Sequence, residues 1–526
     1  MQMAEGDDKK SMLYGLKPIT DRLPAVTKPE GHVHFRTKMF WLILILVLYF
    51  VLTNVMLYGL DQGETIDLFE SYRAIMAGAT GSLMHLGIGP IVTASIILQL
   101  FAGAKIIKLD LTNDEDKALY QGVQKLLVIV MIVVESVPQV YGYLVPSDAL
   151  VMQWGDSWAK TLIVLQLCFG SYLVFLMDET VSKWGIGSGI SLFIAGGVAQ
   201  QMFTGTLNWM PAGPGDVSLA NPPAGTLPKT IYFFTNVPAS GMSGGRFEQL
   251  IIGQPNPIIA LLGTIAIFFF VAYIESCRIE LPLAHEGARG ARGRYPIRLI
   301  YASVIPVILI SAVLANVSMF SMMFSEGGWL SNWPVLGGNT ALAYYGMPVG
   351  GDTPVLAGGA AWYLAPINGL HDWLLPLLSE SYLPFQNDPG IPVKTTLQVG
   401  IHLLTYVLLM VIGSMLFAKF WIETTNMGPK AVAEQIQASG MQIPGFRRDP
   451  RVLEKVMERY IPTVTLLSGA LVGGLAAFAD LLGTVGNSSG TGVLLAVGIM
   501  IQTYEAMGRE QLMEMHPALR GFFGSG

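Results

Sequence analysis

The chain has 526 residues, 52% of them hydrophobic and only 13% charged, far below the roughly 25% charged residues of soluble domains; the reading is a polytopic membrane protein. A formal charge of −6 excludes a generally basic nucleic-acid binder. The two cysteines, Cys168 and Cys277, each sit in or at the end of an apolar stretch and argue against a disulfide framework or a thiolate metal site.

Residues 1–38 are polar and mixed in charge, without the short apolar core and small-residue cleavage site of a signal peptide. Within them Leu13, Leu16, Ile19 and Leu23 recur at helical spacing among Lys17, Asp21 and Arg22, which predicts a short amphipathic helix on the inner membrane surface. Ten apolar stretches then approach the roughly 20 residues that cross about 30 Å of hydrocarbon. They run over about 39–60, 83–104, 118–144, 160–177, 187–203, 257–274, 299–324, 395–416, 461–479 and 490–506. The expected fold is therefore all-α, with ten transmembrane helices in two pseudo-symmetric five-helix halves, 39–203 and 257–506, and a tail over 507–526. An odd number of spans per half inverts one half against the other, although no internal sequence repeat is visible.

Between the first two spans Ile66, Phe69, Tyr72 and Ile75 recur every three residues beside Ala74, Ala77, Gly78 and Ala79. This reads as a compact helix, too short and polar to span, on or within the outer face. Two outer loops, 204–256 and 325–394, are rich in Gly, Pro and aromatics, and 362–378 reads as a helix at the interface. Asn487, in an Asn-x-Ser sequence on the outer side, is a candidate glycan acceptor.

Positive charge gives the chain a direction. Of 31 Lys and Arg, all but Arg73, Lys160, Lys229, Arg246 and Lys394 lie in the N-terminus, in alternate loops near 105–125, 183, 278–298 and 419–459, and in the tail. Cytoplasmic segments retain such excess, so both termini should be cytoplasmic, which requires an even number of spans. The cytoplasmic loops 275–298 and 417–460 hold clusters at Arg289, Arg292 and Arg294 and at Arg447, Arg448 and Arg451. Topology alone accounts for them; a polyanionic partner is the second reading.

Inside span 2, Gly87-Ile88-Gly89-Pro90-Ile91-Val92-Thr93 permits a bend and close helix contact, with Ile88 and Val92 on one face. Ordinary tight packing explains that string equally well. Trp184-Gly185-Ile186-Gly187-Ser188-Gly189 opens span 5 but lacks the strand and the Gly-Lys-Ser/Thr ending of a phosphate loop. Short or glycine-broken spans usually line a cavity. Polar residues in spans are few: Glu135 in span 3 and Asn316 in span 7 lie at similar depths and Thr93 lies near the middle of span 2. Their depths permit one hydrogen-bonded cluster between three helices, and such bonds, at about 0.6 kcal/mol, are weak enough to break. No buried chain of Asp, Glu or His, no His-Glu-x-x-His and no Walker lysine is present, so neither cofactor nor metal is expected. A conduit fits better than a pump or an enzyme; an ion-coupled secondary transporter of a small solute is the alternative.

Taken together, GIGPIVTASIILQL (87–100), DETVSKWGIGSGISLFIAGGV (178–198), RIELPLAH (278–285), RYPIRLIY (294–301), FWIETT (420–425), GFRRDP (445–450), RYIP (459–462) and GTGVLL (490–495) resemble, in order and over nearly the whole chain, the SecY protein-translocation channel family in its archaeal form. The resemblance implies an hourglass channel for unfolded secretory polypeptides, closed by a plug at about 65–79 and opening sideways to lipid. It implies a pore ring of Ile88, Val92, Ile190, Ile194, Ile308 and Leu495, and a lateral gate with Thr93, Glu135 and Asn316 where signal sequences and nascent polypeptides intercalate. It further implies ribosome docking through Arg289, Arg294 and Arg447, and SecE-type and small β-type subunits beside this chain. Branched apolar side chains suit such a ring, because it seals around any sequence and resists ion leak by dewetting.

Overall fold

The computed structural model describes residues 12–515 apart from 21, 32, 62–72, 74, 104–105, 108–113, 214, 220, 238–247, 249, 254, 286–291, 326–327, 348–354, 387, 426, 439–440, 443–449 and 487–488. Among these, ten helices coincide with the ten apolar stretches. They are α1 (Phe35–Thr53), α2 (Gly89–Gly103), α3 (Asp114–Gly142), α4 (Asp156–Trp184), α5 (Gly189–Leu207), α6 (Ile258–Ser276), α7 (Ile305–Phe324), α8 (Thr396–Thr424), α9 (Pro450–Leu482) and α10 (Gly490–Met515). Seven are long and apolar enough to cross a membrane by length and composition. The other three are α2, with 15 residues, α5, interrupted by Gln200 and Gln201, and α10, which turns polar from Gln502 onward.

The shortness of α2 has a local cause. Expected to start near 83, the helix starts at Gly89, because the preceding residues fold back on 76–78. Gly87 adopts φ +56°, and a Cβ there would lie 2.1 Å from the Met76 carbonyl oxygen. Only glycine tolerates both conditions. Ile88 N–H then donates to that same carbonyl at 2.7 Å, and Val92 N–H donates to Ile88 at 3.0 Å. Irregular backbone at membrane depth is tolerated where protein surrounds it, and Ser82, Met84, His85 and Ile88 are all fully buried.

One continuous apolar cluster runs through α1, α2, α3, α4, α5, α6, α7, α8, α9 and α10. Within it α8 lies along α7 and α9, α2 along α3, and α10 along α5 and α6.

Loops 275–298 and 417–460 hold structure that their charge had masked. β1 (Arg278–His285) pairs antiparallel with β2 (Arg292–Arg298), and β5 (Met441–Gln442) adds to the free edge of β1. The alternation of Ile279, Leu281 and Leu283 with Glu280 and Pro282 is the period-2 signal of a strand. Much of 417–460 is helical: α8 runs on to Thr424, a helix spans Pro429–Ala438, and α9 begins at Pro450.

Two expected helices are revised. The N-terminal one ends at Thr20, not at Leu23, and follows a 3-10 turn over Met12–Leu16. Leu13, Tyr14 and Leu16 pack against Leu98 of α2 and Leu119 and Val123 of α3, so the segment is docked on the bundle. The helix expected over 362–378 is two, Ala360–Leu364 and Leu370–Leu378, separated where Pro366 and Gly369 (φ +90°) interrupt it. A further small hairpin, β3 (Tyr344–Gly346) with β4 (Val355–Gly358), lies in the same loop.

Among the described residues, the basic side chains outside the charged loops are tied down; Arg246 lies outside the described residues. Lys160 pairs with Asp156 at 2.9 Å. Buried Lys229 donates to the carbonyls of Gly253 at 2.8 Å and Pro255 at 3.1 Å. Lys394, also buried, stands 4.7 Å over the Trp362 ring. Arg73 enters a buried network described below.

Candidate pore and gate

Thr93, Glu135 and Asn316 come together where α2, α3 and α7 meet. Asn316 Nδ2 donates to Thr93 Oγ1 at 3.0 Å and to its own helix at Ala312 O at 2.9 Å, while Thr93 Oγ1 donates to Gly89 O at 3.0 Å. The Glu135 carboxyl, only 5% exposed, bears on Thr93, and its Oε1 has no hydrogen-bond partner. Gly89 lets that carboxyl in, since a Cβ there would stand 2.9 Å from Oε2. A cavity of about 50 Å³ adjoins Glu135 and Asn316, lined also by Arg73, Met76, Gln139 and Met319. A seam bridged by the Asn316–Thr93 hydrogen bond between α7 and α2 and by a long Gln139 Nε2–Met319 Sδ hydrogen bond of 3.9 Å between α3 and α7, with acceptor capacity in reserve, can part and re-form cheaply.

Arg73 joins this region through a network that sequence reading missed. Its guanidinium donates to the His85 carbonyl and, through Nη2, to Tyr143 OH at 3.1 Å. Gly81 N–H donates to His85 Nδ1 at 3.0 Å, so Nε2 carries the proton and donates to Tyr143 OH at 3.0 Å. Tyr143 OH in turn donates to Gln139 Oε1 at 2.8 Å. The chain around 73–85 is thereby bonded to the end of α3. The only sequence signal was that Arg73 is one of just five cations on the side that holds few of them.

The six apolar ring positions lie on α2 and the residue before it, α5, α7 and α10. Ile88, Val92, Ile194, Ile308 and Leu495 are buried, at 0%, 4%, 0%, 6% and 0% exposure, and half-buried Ile190 packs against the same cluster. Along α5 the apolar face of Ile190 and Ile194 gives way about two turns later to Gln200, Gln201 and Thr204. These line a polar cavity of about 390 Å³ with Tyr49, Arg73 and Asn208. Along α5 a buried apolar stretch thus neighbours a polar cavity.

Of the basic positions, Arg294 lies on β2 opposite Pro282 of β1. Arg289, Arg447 and Asn487 lie outside the described residues, as do 65–72 and 74 of the plug expectation.

The SecY family model matches residues 82–504, and the model for the plug domain of Sec61p matches residues 47–81. The chain belongs to the SecY family. The protein translocase subunit SecY of Archaeoglobus fulgidus is 46% identical over 98% of this chain and 99% of its own. Among solved structures, one described as a protein-conducting channel is 35% identical, with a TM-score of 0.73, covering 96% of this chain and 99% of its own. Sec61 in the canine ribosome-channel complex from the endoplasmic reticulum is 35% identical, with a TM-score of 0.71 and the same coverage of both chains. The expected all-α channel fold and the protein-translocation function are those of this SecY family, and nothing in these likenesses supports a secondary transporter.

Proposed function

We propose that this SecY-family chain is the passive pore through which unfolded secretory polypeptides leave the cytoplasm, and from which hydrophobic segments pass sideways into lipid. The observation that carries the reading is the sealed apolar stretch, drawn from α2, α5, α7 and α10, beside a seam bridged by Thr93 and Asn316. In this reading Ile88, Val92, Ile190, Ile194, Ile308 and Leu495 form the ring, residues 65–79 the plug, and Thr93, Glu135 and Asn316 the polar part of the lateral gate. The burial of the ring residues corresponds to the resting, shut channel.

Both termini face the cytoplasm, where most Lys and Arg lie. The likeness to a Sec61 of a ribosome-channel complex supports docking of a ribosome on loops 275–298 and 417–460, with Arg289, Arg294 and Arg447 meeting RNA phosphate. SecE-type and small β-type subunits pack beside the chain. The drive comes from the bound partner, and the chain performs no catalysis.

The test places single cysteines at Ile88 and Ile190 after removal of Cys168 and Cys277, and presents a stalled, signal-bearing nascent chain. Crosslinks at both positions support a central polypeptide path. Their absence, with the nascent chain demonstrably targeted, would leave the apolar cluster as helix packing alone.

A further inference from the structure

The base of the β1–β2 hairpin is gripped by one carboxylate. Arg278, the first residue of β1, and Arg298, the last of β2, oppose each other in the antiparallel register. Both guanidiniums converge on Glu505 of α10: Arg298 hydrogen-bonds Oε2, and Arg278 Nη2 stands 3.6 Å from Oε1. Glu275, at the end of α6, lies 3.9 Å from Arg298 and adds a second negative charge to the corner.

Glu505 also ends a stripe that leads to the ring. Gln502 donates to Ser303 Oγ at 2.7 Å. Gly498 faces Val304 so closely that a Cβ would lie 2.8 Å from its Cγ1. Leu495 is wholly buried. Positions 495, 498, 502 and 505 succeed one another at three, four and three residues and so share one helix face. At 1.5 Å per residue, Glu505 and Leu495 are about 15 Å apart along α10. Ser303 and Val304 form the turn into α7, which carries Ile308.

We propose that Glu505 is a positioning residue that couples the β1–β2 hairpin to the pore. Load on the hairpin passes through Arg278 and Arg298 into α10 and the start of α7, and shifts Leu495 and Ile308 together. A charge-assisted hydrogen bond from Arg298 is strong and directional, and with the Arg278 ion pair at 3.6 Å on the same carboxylate it resists tilting of the hairpin. The inference rests on the reading of loop 275–298 as a ribosome-docking surface.

The test compares the parent chain with Glu505→Gln, each reconstituted into proteoliposomes with its copurifying subunits and given ribosomes bearing a signal-containing nascent chain. Ribosome affinity and the protected, translocated fraction are read separately. The substitution is isosteric and leaves Arg289, Arg294 and Arg447 in place. Affinity should be unchanged while translocation falls about fivefold or more, the low end of allosteric couplings. The inverted combination Glu505→Arg, Arg278→Glu and Arg298→Glu, made together with Glu275→Gln so that no carboxylate faces position 298, should restore it. Undiminished translocation would overturn the coupling, as would a loss that the inverted combination does not repair. A parallel loss of affinity would overturn it too, making Glu505 a support of the docking surface only. Failure of the parent chain itself to bind ribosomes would remove the docking reading, and this one with it.

Discussion

Asn316 and Thr93, 223 positions apart in sequence, are joined by a 3.0 Å hydrogen bond that closes the seam between α7 and α2. Thr93→Val keeps the shape and removes the acceptor, leaving Asn316 only its own helix. An average interhelical hydrogen bond of about 0.6 kcal/mol corresponds to a roughly threefold shift toward the parted state. Bifunctional crosslinking of cysteine pairs across α2 and α7 reads this directly, and an unchanged rate would remove Thr93 from the closure.

The buried apolar positions make a second expectation. Replacing Ile88, Val92, Ile190 and Ile308 together by Gly removes branched side chains from a buried apolar stretch, and a wetted gap conducts. Planar-bilayer recordings of the resting channel should show ion leak; parental conductance would end the ring assignment.

Charge reversal at Arg289, Arg294 and Arg447 should weaken ribosome binding and flatten its dependence on salt, because fewer phosphate-bound counterions are released. Topology, read by cysteine accessibility, should not change. Equal binding by the reversed variant would return these arginines to a purely topological role.

Lys229 supplies a pH dependence. Burial holds its ammonium down to about 8 from the usual 10.5. At pH below 8 the folded loop carries the full cost of a desolvated cation; between about 8 and 10.5 the folded form releases its proton while the unfolded form keeps it. Stability therefore rises with pH across that window. Resistance of loop 204–256 to proteolysis should increase there in the parent chain and not in Lys229→Met. The variant should also be the weaker at neutral pH, since the carbonyls of Gly253 and Pro255 lose their donor.

The spans were legible because roughly 20 apolar residues in a row have few other uses. Thr93, Glu135 and Asn316 stood out for the converse reason, as polar residues in an apolar setting. Arg73, His85, Tyr143 and Gln139 did not: their contact depends on the chain turning back at Gly87, which no helical or strand period encodes. The β1–β2 hairpin was within reach, since RIELPLAH alternates, but the density of arginines around it drew a reading of charge alone. The break between Ala360–Leu364 and Leu370–Leu378 was written in Pro366 and Gly369, and the run of aromatic and leucine residues on either side concealed it.

Among the described residues, every basic side chain outside the charged loops has a fixed internal partner: Asp156 for Lys160, backbone carbonyls for Lys229, an indole for Lys394, and Tyr143 with His85 for Arg73. The described cations on that side are therefore held by the chain itself and are not offered to a passing polypeptide. The electrostatic landscape is tilted by where positive charge has been immobilised as much as by where it has been placed.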